Sequence, residues 1–167
     1  MPNDLRRQVT QAMHEEHMAT LDLLGRLEQS LAAGGNSPPD AGAQATRDLM
    51  QALVSNLEHE VTRHFDFEEQ RLFPLLDGGG KGELAAILRH EHEAIRAYTP
   101  KLLDMARRVL RKGLAANDWD SFRHFATALI AQHQAHMRRE EAEMLPALEE
   151  LIDPQNDWEL WNGYGSV

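Results

Sequence analysis

The chain has 167 residues, with 17 Lys and Arg against 27 Asp and Glu for a net charge of −10, 42% hydrophobic residues, nine His and no Cys. That length fits one domain with a full core, and the acidic balance argues against nucleic-acid and membrane-surface partners and for a cation or a protein. Without Cys, disulfides, iron–sulfur ligation and thiol catalysis are excluded, so any metal must be held by His and carboxylate.

Breaker clusters GGNSPPD at 34–40 and DGGGKG at 77–82, with a stop and restart at Gly113, Asn117 and Asp118, divide the chain. The segments between them, 4–33, 40–77, 82–113 and 118–152, are rich in Ala, Leu, Glu, Arg and Gln, and their apolar residues recur every three or four positions. All four are predicted as helices. Short links between long helices favour antiparallel neighbours, so the expected fold is all-α: an up-down-up-down antiparallel four-helix bundle over 1–152. The C-terminal tail, 153–167, is expected to pack back on the bundle through Trp158, Trp161 and Tyr164. The longest apolar run is Leu84 to Leu88, and no apolar stretch follows the charged MPNDLRRQ start, so neither a membrane span nor a secretory signal is expected. The sequence reads as a cytoplasmic protein.

Each predicted helix sends polar groups into its apolar stripe. In the first, His17 lies with Met13, Leu21 and Leu24. In the second, His64 and Glu68 are four apart on the face of Leu53, Leu57, Val61, Leu72 and Leu75. His92 shares the third stripe with Leu88, Ile95 and Leu103, and His136 and Glu140 share the fourth with Phe122, Phe125, Leu129, Met144 and Leu148. Counting residues from the helix ends at 1.5 Å each puts the four sites within roughly 10 Å of one level. The sequence also repeats itself: HFDFEEQRLFP from His64 aligns without gaps on HMRREEAEMLP from His136, and Glu16-His17 and Glu91-His92 precede them.

Two ionised carboxylates in an apolar core are unfavourable by several kcal/mol each unless paired or coordinated. The one basic side chain at that depth is Arg96, one turn from His92. A cation from outside is therefore expected, and four imidazoles with two carboxylates suit iron, zinc or manganese, two ions sharing Glu68 and Glu140. A single His on an apolar face is more often a satisfied core residue, but six matched groups in a metal-free bundle would leave several buried atoms unsatisfied. His133, one turn before His136, is a candidate fifth nitrogen or a hydrogen-bonding neighbour of the ligands; His14, one turn before His17, is a weaker one. Glu69 and Glu141 are expected to support the ligands from outside. His90, His59 and His124 are read as solvated or structural. Glu-x-x-His, the ferritin-like signature, and His-Glu-x-x-His of metalloproteases are both absent.

At these positions the chain resembles the hemerythrin-like (HHE) domain, a non-haem di-iron four-helix bundle, over about residues 5–150. The resemblance rests on the Glu-His pairs at 16–17 and 91–92 and the two H-x3-E-E-x3-[FL]-P elements at 64–74 and 136–146. It implies a centre of two iron ions ligated by His17, His64, Glu68, His92, His136 and Glu140, the two Glu bridging. Dioxygen-carrying members usually place a second His four residues after the first on their third helix, where this chain has Arg96. The implied function is to bind or sense a small ligand or oxidant, namely dioxygen, nitric oxide or peroxide, or iron itself. The alternatives are a di-iron enzyme with peroxidase or nitric-oxide reductase activity, and a metal-free helical interaction module.

Overall fold

The computed structural model describes residues 5–165, and among these every regular element is helical. The first helix is Gln8–Gly34. The second runs unbroken through Gln44–His59, Glu60–His64, Phe65–Phe67, Glu68–Leu72 and Phe73–Gly78. The third is Gly82–Lys112, the fourth joins Ala116–Arg139, Glu140–Met144 and Leu145–Leu151, and the fifth is Pro154–Gly165. The first four lie within about a turn of the predicted segments. Gly113 ends the third helix at φ 77°, a left-handed conformation that glycine adopts without a Cβ clash. No helix among the described residues is long and apolar enough to cross a membrane.

The second helix packs on the third, the third on the fourth, and the first on both the second and the fourth. Two apolar clusters fill the interior. One contains Leu24, Leu27, Leu53, Leu57, Leu102, Trp119, Phe122 and Leu129; the other contains Val9, Met13, Leu72, Phe73, Leu76, Leu88, Met144 and Leu148. On all four of these helices the buried His and Glu residues fall between the two clusters in sequence. The first and third helices meet the Met13 and Leu88 cluster first, and the second and fourth meet it last.

Three stretches, Glu60–His64, Glu68–Leu72 and Glu140–Met144, are π-helical. An i→i+5 turn holds an extra residue and rotates the chain beyond it. After one intervening residue, each of the last two is followed by a proline, Pro74 or Pro146, which has no N–H to return to the preceding turn. This rotation corrects the predicted stripe: Leu76 rather than Leu75 is fully buried, and Val61 is only half-buried.

The tail is a helix that lies against the first. Arg7 offers the first helix no side-chain cap. Its free N–H groups are instead met by carboxylates from far along the chain: Gln8 and Val9 donate to Asp157 at 2.9 and 3.0 Å, and Arg6 and Arg7 donate to Glu149 at 3.1 and 2.9 Å. A negative group there also complements the helix dipole. Asp157, Leu160 and Tyr164 share the buried face, whereas Trp158 and Trp161 are 62% and 43% exposed. The expectation that all three aromatics pack inward therefore holds for Tyr164 alone, because the tryptophans sit three apart on the opposite side of the helix. Asp157→Ala is expected to lower stability by about 1–2 kcal/mol, as loss of a helix cap does. Urea unfolding reads this directly, and a loss below about 0.3 kcal/mol would show that the cap is dispensable.

Candidate metal centre

His17, His64, Glu68, His92, His136 and Glu140 lie between the two clusters, each no more than 1% exposed. They form two groups, His17, His64, Glu68 and Glu140, and Glu68, His92, His136 and Glu140, within each of which one ligand atom per residue lies within 4.8 Å of all the others. The two carboxylates belong to both. Glu68 Oε1 is 3.3 Å from His64 Nε2 while its Oε2 is 3.2 Å from His92 Nε2. Glu140 does the same in reverse, with Oε2 3.2 Å from His17 Nε2 and Oε1 3.1 Å from His136 Nε2.

The Nε2 atoms converge in pairs, His17 on His64 at 3.3 Å and His92 on His136 at 3.1 Å. Each ring is oriented from behind, where Nδ1 donates to a carboxylate: His64 to Glu16 at 2.9 Å, His17 to Glu141 at 2.7 Å, His136 to Glu91 at 3.0 Å and His92 to Glu69 at 2.8 Å. The pattern is reciprocal. Glu16 and Glu91, beside the first- and third-helix His, hold the rings on the second and fourth helices, and the second Glu of each Glu-Glu pair, Glu69 and Glu141, holds the ring on the third and on the first. With Nδ1 committed to its carboxylate, Nε2 points inward, and each ring, once it gives up its second proton, has the tautomer that metal-binding imidazoles need. Tyr164 reinforces one of these supports, its hydroxyl donating to Glu16 at 2.5 Å.

Electrostatics give the same picture. Burial alone would lower the four imidazoles, but the surrounding carboxylates overcome it: His17 is raised to about 9 by pairing with Glu140 and Glu141, and His136 to about 10 beside Glu140 and Glu91. His64 is raised well above its ordinary value and His92 is raised. Burial would likewise raise Glu68 and Glu140, but the imidazoles hold both below the usual carboxylate range. All four of their oxygens are buried without an aligned hydrogen-bond donor. Buried anionic oxygens facing converging ring nitrogens are a donor set for one or two cations.

Arg96 is turned away from this centre. It pairs with Asp66 at 2.8 Å and Glu69 at 2.5 Å and lies over the Phe65 ring at 5.4 Å. Phe65 stacks on His92 with the rings 3.7 Å apart and 8° from parallel, fixing that imidazole from the apolar side. His133 is fully buried beside the His92/His136 group but belongs to neither ligand group, and burial lowers it to about 3, a neutral ring. His14 stands outside the centre, half-exposed and bonded to Glu141 at 2.8 Å. His90 and His124 are exposed, and His59 is half-buried against Glu16. The sequence reading missed what Glu16 and Glu91 do, although their recurrence beside His17 and His92 was a visible signal. It also missed Glu60, which is 1% exposed.

The hemerythrin HHE cation binding domain matches residues 8–148, nearly the whole chain, and the protein belongs to that family. No curated protein and no solved structure matches it significantly. Its fold and site are those of a metal-binding protein, of a family in which the metal is typically iron.

Proposed function

We propose that the protein is a dinuclear non-haem iron protein, with His17 and His64 on one ion, His92 and His136 on the other, and Glu68 and Glu140 bridging, and that it binds or senses a small ligand or oxidant. The observation that carries this reading is that each bridging carboxylate directs one oxygen to each imidazole pair. The alternating order in which the helices meet the two clusters supports an up-down-up-down four-helix bundle as the frame. Six donors leave coordination positions free on two octahedral ions, and Arg96, held by Asp66 and Glu69, supplies no further nitrogen. Because the centre is sealed to 1% exposure or less, only a molecule of a few atoms fits its chemistry, such as dioxygen, nitric oxide or peroxide. When bound, iron would supply the redox and ligand-binding capacity; the chain's own residues hold it, orient its ligands and exclude bulk water.

The test is a metal count on protein from iron-replete cells, followed by addition of nitric oxide or peroxide to the reduced protein. The expected outcome is about two iron ions per chain and a spectral change complete near one equivalent of ligand per centre. Sustained turnover of many equivalents would make the protein an enzyme instead. Absence of any transition metal would leave a helical interaction module.

A further inference from the structure

The two halves of the centre differ in the turn that leads into His64 and His136. Aligning His64 on His136 sets Glu60 against Gln132 and Val61 against His133. Ahead of His136 the fourth helix stays α-helical, so His133 is buried and Gln132 half-buried. Ahead of His64, Glu60–His64 is π-helical. A hydrogen bond from the Thr62 hydroxyl to the Glu58 carbonyl at 2.5 Å accompanies this turn, a type of contact that bends helices. The extra residue brings Glu60 rather than Val61 inward.

Glu60 has little reason to be there in a metal-free core. It is 1% exposed. Its Oε2 accepts one long hydrogen bond, 3.4 Å from Thr20 Oγ1, a hydroxyl that itself accepts from Asn56 at 2.9 Å. Its Oε1 has no hydrogen-bond partner and lies 4.0 Å from His64 Nε2. Two donors on one ion with bonds of about 2.1 Å are roughly 3.0 Å apart when adjacent and roughly 4.2 Å apart when opposite. His17 and Glu68, each 3.3 Å from His64 Nε2, fit the adjacent spacing; Glu60 approaches His64 at 4.0 Å but stands outside that group of four, so an ion bound there would have to draw its carboxylate inward.

We infer that Glu60 donates a carboxylate oxygen to the ion held by His17 and His64, a donor that the His92/His136 position lacks. The inference rests on the two-ion reading above. It makes the positions chemically unequal: an added anionic oxygen on one side, and on the other a neutral His133 ring in the corresponding core position. The centre is then built to hold two ions with different affinities.

Zinc binding to the stripped full chain tests this, by calorimetry on the wild type and Glu60→Gln, together with a crystal structure of the zinc-loaded wild type. In the wild type, two zinc ions are expected, with a Glu60 oxygen about 2.0–2.2 Å from the one beside His64. Glu60→Gln keeps the shape and removes the anionic oxygen, so one binding step is expected to weaken by about 10- to 100-fold and the other by less than about threefold. Equal weakening of both steps, no weakening, or a zinc-to-Glu60 distance beyond about 3 Å overturns the inference. If the variant does not fold, the wild-type zinc structure decides alone. A wild type that binds a single zinc overturns the two-ion reading; the inference then survives only if that zinc lies beside His64 with Glu60 bonded to it.

Discussion

Glu140→Ala is expected to remove at least one of two bound ions and to lower the melting temperature of the metal-loaded protein by about 8–16 °C. Each Glu140 oxygen faces a different imidazole pair, so one substitution removes a donor from both positions. Metal that binds only the folded chain contributes about 4 kcal/mol when its free concentration is a thousand times Kd, and about 1 kcal/mol shifts the melting of a domain this size by about 2–4 °C. Glu68→Ala is expected to behave alike, since its oxygens divide between His64 and His92 in the same way. The chelator-stripped variants should differ much less from stripped wild type, because their imidazoles can release protons when a carboxylate is lost. Calorimetric melting with and without metal, beside a metal count, checks this. Retention of wild-type stoichiometry and melting temperature by either variant would show that its carboxylate does not bridge.

Metal uptake is expected to displace up to four protons from the imidazoles, with a further contribution from Glu60, whose carboxyl burial pushes up, and to strengthen steeply as pH rises from 6 to 9. In the stripped protein His17 and His136 keep their second protons to about 9 and 10, and His64 and His92 are raised as well. A metal ligand must be a neutral imidazole, so at pH 7 each ring exchanges a proton for the ion. Glu68 and Glu140 are already ionised and add none. The same shifts set the stability of the stripped chain. The folded values of these histidines exceed the ordinary 6.5, so their contribution is fully present below about 6.5 and lost as pH rises through 9 to 10. The folded values of the two carboxylates fall below the ordinary 4.5, so theirs is present above that value and lost as pH falls. Stripped protein should therefore be most stable between about pH 4.5 and 6.5 and weaken toward pH 10, whereas metal-loaded protein should not weaken over that alkaline range. Calorimetry in two buffers of different ionisation enthalpy counts the protons. A count near zero at pH 7 would mean that the rings are neutral before metal arrives.

The sequence by itself determined the helices, their approximate limits and the six inward polar groups, because a 3.6-residue apolar period and a gapless internal repeat are local properties. His64 with Glu68 and His136 with Glu140 were legible for that reason: four residues apart on one helix means one face, whatever the neighbours do. What depends on rotation or on contacts between helices was not legible. A π turn needs only one extra residue between two helical stretches, and its cause at Glu60–His64 leaves no periodic trace, so Glu60 passed unnoticed and Leu75 read as core. The pairing of Glu16 with His64, and of Glu91 with His136, joins residues 48 and 45 positions apart. The sequence showed that these glutamates recur, but only the packing of neighbouring helices decided which ring each would hold. The outward turn of Trp158 and Trp161 was decided in the same way. Asp157 had to reach the open N–H groups of the first helix, and that contact fixed the rotation of the last helix and left both tryptophans in solvent.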